Sequence, residues 1–325
     1  MKKKQTASLE NKIEKEYDNI AGIIVLKDDN AVYENYFNQC SENDPVHIFS
    51  VTKSIISMLF GIAIDQGCIK NPDEKVIDFF PDYHISKSEK TIQHITIRNL
   101  LTMTAPYKYK FNPYPKYFSS EDWVRSSLDF LGGNGKIGKF KYAPIIGIDI
   151  LSGILIKATG KSVLEFAQDN LFSPLEISVD KSIYFQSKEE QLDFYKAKGA
   201  NGWVADPNGT NTAGWGLSLT TMDMAKLGQL YLNEGYWNGR QIISDKWIVE
   251  STQVQSVWKA RHLKYGYLWW IIDEAEHSYA ALGDGGNAIY VNPEDRIVVA
   301  VSSLFVPGVK DRIDFIKGEI EPLFR

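Results

Sequence analysis

One apolar run constrains the fold of this chain more than any other feature. Between residues 55 and 64, apolar side chains recur at the spacing of a helix. They are Ile55, Ile56, Leu59, Phe60, Ala63 and Ile64. A helix that is apolar nearly all round has to be buried, so this run requires other elements to cover it. Ser50 precedes the helix and Lys53 lies in its first turn, which places the two side chains on one face.

The pair of Ser50 and Lys53 has an ordinary explanation, which is an N-cap serine followed by a surface lysine. The same spacing recurs at Ser256 and Lys259, where no apolar helix follows, and there we attribute it to chance. At the first position, a lysine beside apolar residues has its charged form disfavoured and can act as a base. A serine hydroxyl needs such a base to become a nucleophile, and a helix N-terminus adds N–H groups for an oxyanion. The pattern therefore predicts Ser50 as nucleophile and Lys53 as its base.

Residues 49–54 resemble the first motif of the serine β-lactamase and penicillin-binding protein superfamily, in which S-x-x-K carries the nucleophile. Longer stretches are similar to the branch around class C β-lactamases, D-alanyl-D-alanine peptidases and related esterases and amidases. These stretches are residues 95–104, 170–175, 212–228 and 232–244. The resemblance covers nearly the whole chain.

The resemblance implies an α+β fold of the β-lactamase and transpeptidase type. This fold has a central antiparallel sheet flanked by helices, with an inserted, mainly helical region. Apolar stretches at 20–27 and 31–37 predict a hairpin, and the stretches 265–272 and 296–303 read as further strands. Residues 307–323 are expected to form a closing helix. We predict one catalytic unit over residues 1–325, with its sheet side at 1–65 and 205–325 and its helical side at 66–204.

Tyr142 precedes an apolar helix predicted at residues 148–158, where the resembled family places a catalytic tyrosine. By this resemblance its phenol, with a pKa lowered by Lys53, would shuttle the serine and leaving-group protons. A buried core tyrosine is the alternative. Pro144 stands where β-lactamases and peptidases have a substrate-binding asparagine, and proline offers no side-chain donor.

The glycine-rich segment 283–286 stands where the third family motif belongs, and Asp284 takes the place of its lysine or histidine. The resemblance implies that the backbone N–H of Asn287 is an oxyanion donor beside that of Ser50. Glycines in a strand would let substrate approach the backbone closely, whereas a hairpin turn is the alternative. The predicted substrate contacts are Asp284, Gly285, Gly286 and Trp215.

Residues 105–138 are rich in tyrosine, phenylalanine, proline and glycine. Their tyrosines fit the rim of a pocket and fit packing beneath a long loop equally well. They are Tyr107, Tyr109, Tyr114 and Tyr117. The sequence does not decide between the two interpretations.

These features together predict a serine hydrolase that forms an acyl-enzyme on Ser50, and they favour an esterase or amidase. An aspartate has the wrong charge to bind the carboxylate that β-lactams and D-alanyl peptides carry, so we expect a small uncharged or cationic ester or amide. Two alternatives remain: a true β-lactamase or D-alanyl-D-alanine carboxypeptidase, and a non-catalytic ligand-binding or sensor protein.

Composition and spacing exclude several other function classes. The net charge is −5 with scattered lysine and arginine, which does not favour nucleic-acid binding. The histidines and cysteines have no metal-ligand spacing, so no metal or cofactor is predicted. No run of about 18 apolar residues is present, so no membrane span is expected. We see no signal peptide, and therefore expect a cytoplasmic protein with reduced Cys40 and Cys68. The oligomeric state stays open.

Overall fold

The computed structural model describes residues 2–109 and 112–325, so Met1, Lys110 and Phe111 lie outside the described residues. The described helices are α1 Lys2–Glu16, α2 Val51–Asp65, α3 Ile97–Leu101, α4 Tyr114–Phe118, α5 Trp123–Phe130, α6 Asp149–Thr159, α7 Val163–Ala167, α8 Lys188–Lys196, α9 Thr221–Leu232, α10 Asp245–Ser251, α11 Arg312–Phe315 and α12 Glu321–Phe324. The described strands are β1 Ile20–Lys27, β2 Asn30–Tyr36, β3 Val46–His47, β4 Ser182–Ile183, β5 Trp203–Val204, β6 Ser218–Leu219, β7 Tyr236–Trp237, β8 Arg240–Gln241, β9 Ser256–Trp258, β10 Leu263–Tyr265, β11 Trp270–Asp273, β12 Ser278–Gly283, β13 Asn287–Asn292 and β14 Ile297–Ser303.

Eight of the described strands form one sheet in the order β2-β1-β14-β13-β12-β11-β10-β9. All its neighbours are antiparallel, and the first and last strands of the chain pair with each other, as in the register of Ile23 with Val301. The predicted hairpin is confirmed as β1 and β2. Its turn uses Asp28 and Asp29, which have φ of 48° and 65°. This sheet with its flanking helices confirms the predicted α+β fold.

Both faces of the sheet are covered, which explains why its inner strands read as continuous apolar runs. On one face, Ile24 of β1 and Ala300 of β14 belong to the core that also contains α2 and α9. On the other face, Ile23 and Val299 pack with α1 and with Phe315 of α11. Successive side chains of a strand point to opposite faces, so one strand supplies both cores. Helix α2, which follows Ser50, thus lies against the face of the sheet that carries Ile24 and Ala300.

The mainly helical part of the chain lies between α2 and β5. Helix α6 packs against both α2 and α5, and Ile150 and Ile154 of α6 share the core of α2. The helix predicted within residues 95–104 is confirmed as α3, where Thr96 and Asn99 form a capping box. The division of the chain into a sheet side and a helical side at residues 66 and 204 stays a prediction.

The single strand predicted at residues 265–272 is wrong. The structure has two strands, β10 and β11, joined by a tight turn in which the Gly266 N–H donates to the Trp269 carbonyl. Leu268 has φ of 62°, the left-handed conformation, within this turn. Aromatic residues favour strands, and that preference hid the turn.

The predicted closing helix is also shorter than expected. It begins at Arg312 rather than at residue 307, because the Asp311 carboxylate caps its first turn by accepting backbone N–H groups. The chain then stays helical through a π-helical segment, Ile316–Ile320, into α12. This closing segment covers the outer face of the sheet beside α1.

Candidate active site

The chain enters Ser50 through a turn with a rare backbone conformation. Phe49 has φ of 49°, which residues with a side chain seldom adopt. Its buried ring is held by those of His47 and Phe305, with centroids 3.9 and 5.0 Å away. Helix α2 begins directly after Ser50, yet the Ser50 side chain makes no capping hydrogen bond. The explanation of this hydroxyl as a helix cap is therefore wrong, and the hydroxyl is available for other partners.

Lys53 is enclosed at the base of the site, with only 1% of its surface exposed. Its Nζ lies 2.8 Å from Ser50 Oγ and donates to the carbonyls of Pro144 and Gly214, each 2.7 Å away. We term these four residues the lysine pocket. A neutral amine has two N–H groups for the two carbonyls, and its lone pair then remains for the Ser50 hydroxyl proton.

The electrostatics of the lysine pocket favour the neutral amine. Burial lowers the pKa of Lys53 to about 7, and the charges of Asp284 and Asp149 oppose this shift only in part. A large fraction of the amine is therefore unprotonated near neutral pH, as a general base requires. Pro144 contributes its backbone carbonyl to the lysine pocket, and this contribution does not depend on a side-chain donor.

Asp149, a buried carboxylate behind the lysine pocket, was not predicted. It begins α6 and is 1% exposed. Its Oδ1 accepts the Ala213 N–H at 2.7 Å, the Gly214 N–H also donates to the carboxylate, and the Tyr117 hydroxyl donates to Oδ2. Burial raises the pKa of Asp149 to about 6, and these donors limit the rise. The carboxylate thus holds the backbone directly before the Gly214 carbonyl that binds Lys53. An acidic residue opening an apolar helix was the available sequence signal.

Tyr142 lies near Ser50, and its hydroxyl is close enough to the Ser50 side chain for the Ser50 hydroxyl to lower the Tyr142 pKa. Lys53 Nζ is 5.5 Å from the centre of the Tyr142 ring, and Trp258 stacks on that ring at 6.2 Å. The expected lowering of the Tyr142 pKa is wrong, because burial raises this pKa to about 12 and the Ser50 hydroxyl opposes the rise only weakly. Tyr142 therefore stays protonated at neutral pH and can relay protons only as a neutral phenol.

The third motif lies in a hairpin turn, so its interpretation as a strand is wrong. Asp284–Gly286 connects β12 to β13, and Gly283 pairs with Asn287 across the turn. A Cβ atom built on Gly283 would lie 3.2 Å from the Ser50 nitrogen and would clash with the Ile48 carbonyl. The missing side chain at Gly283 therefore lets this turn approach the backbone N–H of Ser50.

Gly285 and Gly286 are buried in the turn, and their contact with substrate stays a prediction. A Cβ atom on Gly286 would lie 2.5 Å from Arg312 Nε, and the Gly285 carbonyl accepts a hydrogen bond from Asn19 Nδ2 at 2.7 Å. Arg312 also donates to Asn19 Oδ1 at 2.5 Å. The protein's own chain fills the space that the two glycines leave.

The Asn287 side chain links the turn to strand β14 by hydrogen bonds. Its Nδ2 donates to the Asp284 carbonyl at 2.9 Å, and its Oδ1 accepts the Ser303 N–H at 2.9 Å. A longer contact of 3.4 Å joins Nδ2 to the carbonyl of His47, close to the nucleophile. The role of the Asn287 backbone N–H as an oxyanion donor stays a prediction.

The two other predicted substrate contacts occupy different environments. Asp284 is exposed at the mouth of the site, and within the described ranges its carboxylate forms no ion pair. Trp215 is 3% exposed, and its ring packs against those of Trp123 and Tyr195 at 6.3 and 5.6 Å. Trp215 therefore packs behind the aromatic residues Trp123 and Tyr195, and its contact with substrate stays a prediction.

A cavity of about 910 Å³ lies beside the lysine pocket, between α4 and α8. Six of its fifteen described lining residues are aromatic, and we term it the aromatic chamber. Its aromatic residues are Tyr114, Phe118, Trp123, Tyr184, Phe185 and Tyr195. The chamber comes close to the turn before Ser50, because the ring of its lining residue Tyr195 lies 5.5 Å from that of Phe49. Of the four tyrosines left open by the sequence, Tyr114 lines this chamber.

His47 is close to Ser50 in sequence but is not its base. Its Nε2 accepts the Gly216 N–H at 2.9 Å, and burial lowers its pKa to about 3. Among the described residues, no group of three or more His, Cys, Asp and Glu side chains is placed to hold a metal ion. Cys40 and Cys68 are free thiols. Within the described ranges, none of the helices has the length and apolarity needed to cross a bilayer.

Comparison with known proteins matches this geometry to one family. The model of the family described as Beta-lactamase matches residues 10–316. A 6-aminohexanoate-dimer hydrolase of Paenarthrobacter ureafaciens is 22% identical over 303 residues, which is 86% of this chain and 71% of that protein. The fold is similar to that of a penicillin-binding protein homologue from Caulobacter crescentus, with a TM-score of 0.72, 14% identity and coverage of 93% and 91% of the two chains. A family VIII carboxylesterase gives a TM-score of 0.73 at 14% identity, over 98% and 97%.

Proposed function

Since the chain belongs to the β-lactamase family, we propose that it is a serine hydrolase that forms an acyl-enzyme on Ser50 and acts as an esterase or amidase. The observation that carries this proposal is the 2.8 Å separation of Ser50 Oγ from an enclosed Lys53 amine that is largely neutral near pH 7. The names of two similar proteins, a carboxylesterase and an amide hydrolase, agree with this reaction class.

In the first half-reaction, Ser50 Oγ attacks the carbonyl carbon of the ester or amide, and Lys53 takes the hydroxyl proton. The backbone N–H of Ser50 and a second N–H, predicted at Asn287, would hold the oxyanion. When the tetrahedral intermediate collapses, the bond to the leaving alcohol or amine breaks. The departing group takes a proton from Lys53, directly or through the Tyr142 phenol, which lies against the Ser50 side chain. The acyl group stays on Ser50.

The second half-reaction reverses these roles with water as the nucleophile. Lys53, neutral again after the first step, accepts a proton from water as the water oxygen attacks the acyl carbon. Collapse releases the carboxylic acid and returns the proton to Ser50 Oγ. Pro144 and Gly214 hold the amine by its two N–H groups throughout, so its lone pair keeps its direction.

The charge at the mouth supports uncharged or cationic substrates. The exposed carboxylate of Asp284 is close enough to the reacting groups for its charge to act on both Lys53 and Tyr142. An anionic substrate group would be repelled there, whereas a neutral or positively charged one would not.

Intact mass after exposure to a fluorophosphonate tests the nucleophile. Such a reagent traps only activated serines, so we expect one adduct on the wild type and none on Ser50→Ala. Ser256→Ala is the matched control, because Ser256 and Lys259 share the spacing of Ser50 and Lys53 but lie on β9 and the turn after it. We expect this control to be labelled like the wild type. A folded wild-type protein without an adduct would make the hydrolase proposal wrong and favour a non-catalytic protein.

Nitrocefin separates the esterase from the true β-lactamase. Its carboxylate would face Asp284, so we expect turnover of this β-lactam to be far slower than that of a neutral ester. Rapid nitrocefin hydrolysis that is lost in Ser50→Ala would keep Ser50 as nucleophile and replace the proposed substrate class.

A further inference from the structure

We infer that the aromatic chamber is the specificity site of this enzyme and that it receives a bulky aromatic or arylalkyl half of the substrate that carries no negative charge. This inference rests on the proposed function of Ser50, since the chamber is assigned to the substrate of that nucleophile. The chamber's wall, its position and its charge each support the assignment.

The wall of the chamber suits flat apolar groups. Phe118 and Trp123 meet edge to face at 5.5 Å, and Phe185 stacks in parallel with the Trp215 ring behind the wall at 6.4 Å. Rings held in place by other rings present fixed faces and edges to a further ring, which aromatic pairs prefer. The volume of about 910 Å³ lies at the upper end of ordinary ligand clefts and far exceeds what an acetyl group fills.

The position of the chamber connects it with the nucleophile. Tyr195 lines the chamber, and its ring also contacts Phe49, the residue before Ser50. The charge of Asp284 acts on Tyr114 and Tyr195 of the chamber as well as on Lys53 and Tyr142 of the catalytic centre. Asp284 is therefore near both groups of residues, so a substrate whose carbonyl is at Ser50 would pass near Asp284 on its way into the chamber.

The charges around the entrance disfavour an anion. The carboxylate of Asp284 is near enough to Tyr114 and Tyr195 for its charge to act on both, and this negative charge repels anions. Among the described lining residues, Lys188 is the one with a charged side chain, and it is exposed at the outer end, at the start of α8. An aryl group that is neutral or carries an ammonium fits this distribution, and an aryl carboxylate does not.

The binding test uses Ser50→Ala, which retains the chamber and cannot turn over. Three probes share one ring and differ in charge: 1-naphthylmethylamine, 1-naphthaleneacetamide and 1-naphthaleneacetate. We expect calorimetry to show binding of the amine and the amide, and at least about tenfold weaker binding of the acetate. Tighter binding of the acetate would overturn the assignment of charge, and absence of binding by all three to the folded protein would overturn the assignment of the chamber.

A second substitution locates the probes. Leu192 lines the chamber on α8 and is 46% exposed, so Leu192→Trp fills the cavity without disturbing the core. Val249 on α10 is 52% exposed and outside the chamber, so Val249→Trp is the matched control. In the Ser50→Ala background, we expect Leu192→Trp to weaken naphthyl binding about tenfold and Val249→Trp to leave it unchanged. Equal binding in the two variants would place the probes elsewhere and overturn the inference.

Two isomeric esters then show which half of the substrate enters the chamber. Methyl phenylacetate has the ring on its acyl side, and benzyl acetate has it on its alcohol side, with methyl acetate as the reference. We expect Leu192→Trp to lower kcat/KM for one isomer relative to methyl acetate in a pH-stat assay. Unchanged ratios for both isomers would overturn the inference while leaving Ser50 labelling intact. If the wild-type protein gave no fluorophosphonate adduct while Ser50→Ala still bound the naphthyl probes in the chamber, the proposed hydrolase would be wrong and the chamber would remain a binding site.

Discussion

The lysine pocket and the aromatic chamber lie side by side but are built on opposite principles. The lysine pocket is closed, and the groups that hold Lys53 are mainly backbone carbonyls of Pro144 and Gly214. The chamber is wide, and its wall consists of side chains on short elements such as α4 and α8. Backbone groups survive most substitutions and side chains do not. We infer that the pocket determines which reaction occurs, whereas the chamber determines which substrate reacts.

The largest effect is expected from removing the amine of the lysine pocket. Lys53→Met keeps an unbranched apolar chain but removes the base, so we expect kcat to fall about 10²–10⁴-fold. Lys259→Met is the control, because Lys259 is exposed and follows β9. Steady-state hydrolysis of methyl acetate measures both. Retained activity in Lys53→Met would contradict the comparison, since the lysine pocket would then not supply the base of the reaction.

A smaller effect is expected at Tyr142, with a distinct pH signature. Wild-type kcat/KM should rise with pH and level off above about 7, since the pKa of Lys53 is about 7 and its neutral form is the base. The pKa of Tyr142 is about 12, so its phenol adds no limb near neutrality. We expect Tyr142→Phe to lower kcat about 10²-fold and to leave the midpoint of the rise unchanged. A midpoint that moves with Tyr142 would assign the base to the phenol.

The fold could be predicted from the sequence because its signals are local and repeated. The apolar helix after Ser50, the hairpin of β1 and β2, and the last strand each show their period within a few residues. Burial on both faces makes the inner strands apolar throughout, which distinguishes them from loops. The prediction of one strand at 265–272 failed because the turn contains Leu268 with a φ of 62°, a left-handed conformation that leucine rarely adopts.

The parts of the site that could be predicted from the sequence are those that depend on the type of a side chain and its spacing. Ser50 and Lys53 stand three positions apart on one helix, so their contact follows from the spacing. The partners of Lys53 do not, because a backbone carbonyl has no residue-type signature and Gly214 lies 161 positions away. The raised pKa of Tyr142 depends on burial, and the buried glycines of the turn depend on Asn19 and Arg312 from the two ends of the chain.

The buried carboxylate behind the lysine pocket sharpens the comparison further. Asp149→Asn removes a charge that raises the pKa of Lys53, so this pKa falls and the rise of kcat/KM moves to lower pH. An amide also has one acceptor oxygen where the carboxylate has two, so a donor from Ala213, Gly214 or Tyr117 loses its partner. We expect kcat/KM at pH 8 to fall about tenfold, less than the roughly 10²-fold cost of a 1 Å displacement.

Asp206→Asn distinguishes this effect from a general loss of stability. Asp206 is fully buried and accepts the N–H groups of Trp123 and Thr210 at 3.0 and 2.8 Å. Its replacement should lower the urea midpoint, at a cost of about 1–3 kcal/mol in the free energy of unfolding. The charge of Asp206 acts on Asp149 and is not among those that act on Lys53, so we expect the pH midpoint of kcat/KM to move much less in this control than in Asp149→Asn. An equal shift in both variants would remove Asp149 from any specific role at Lys53.

The smallest effect is expected at the exposed end of the site. Asp284→Asn removes the carboxylate between the two regions without adding bulk, and the charge of Asp284 opposes the lowering of the Lys53 pKa by burial. For an exposed charge, we expect the ratio of kcat/KM between a cationic and an anionic phenylacetate ester to fall at most about fivefold. The wild-type ratio should also fall as salt is raised, because screening acts on exposed charges over about 10 Å at 0.1 M ionic strength. A ratio that does not change with salt would contradict a role of the exposed Asp284 charge in substrate selection. A loss of kcat in Asp284→Asn as large as that in Lys53→Met would assign Asp284 to the chemical step, so the lysine pocket and the chamber would no longer have separate roles.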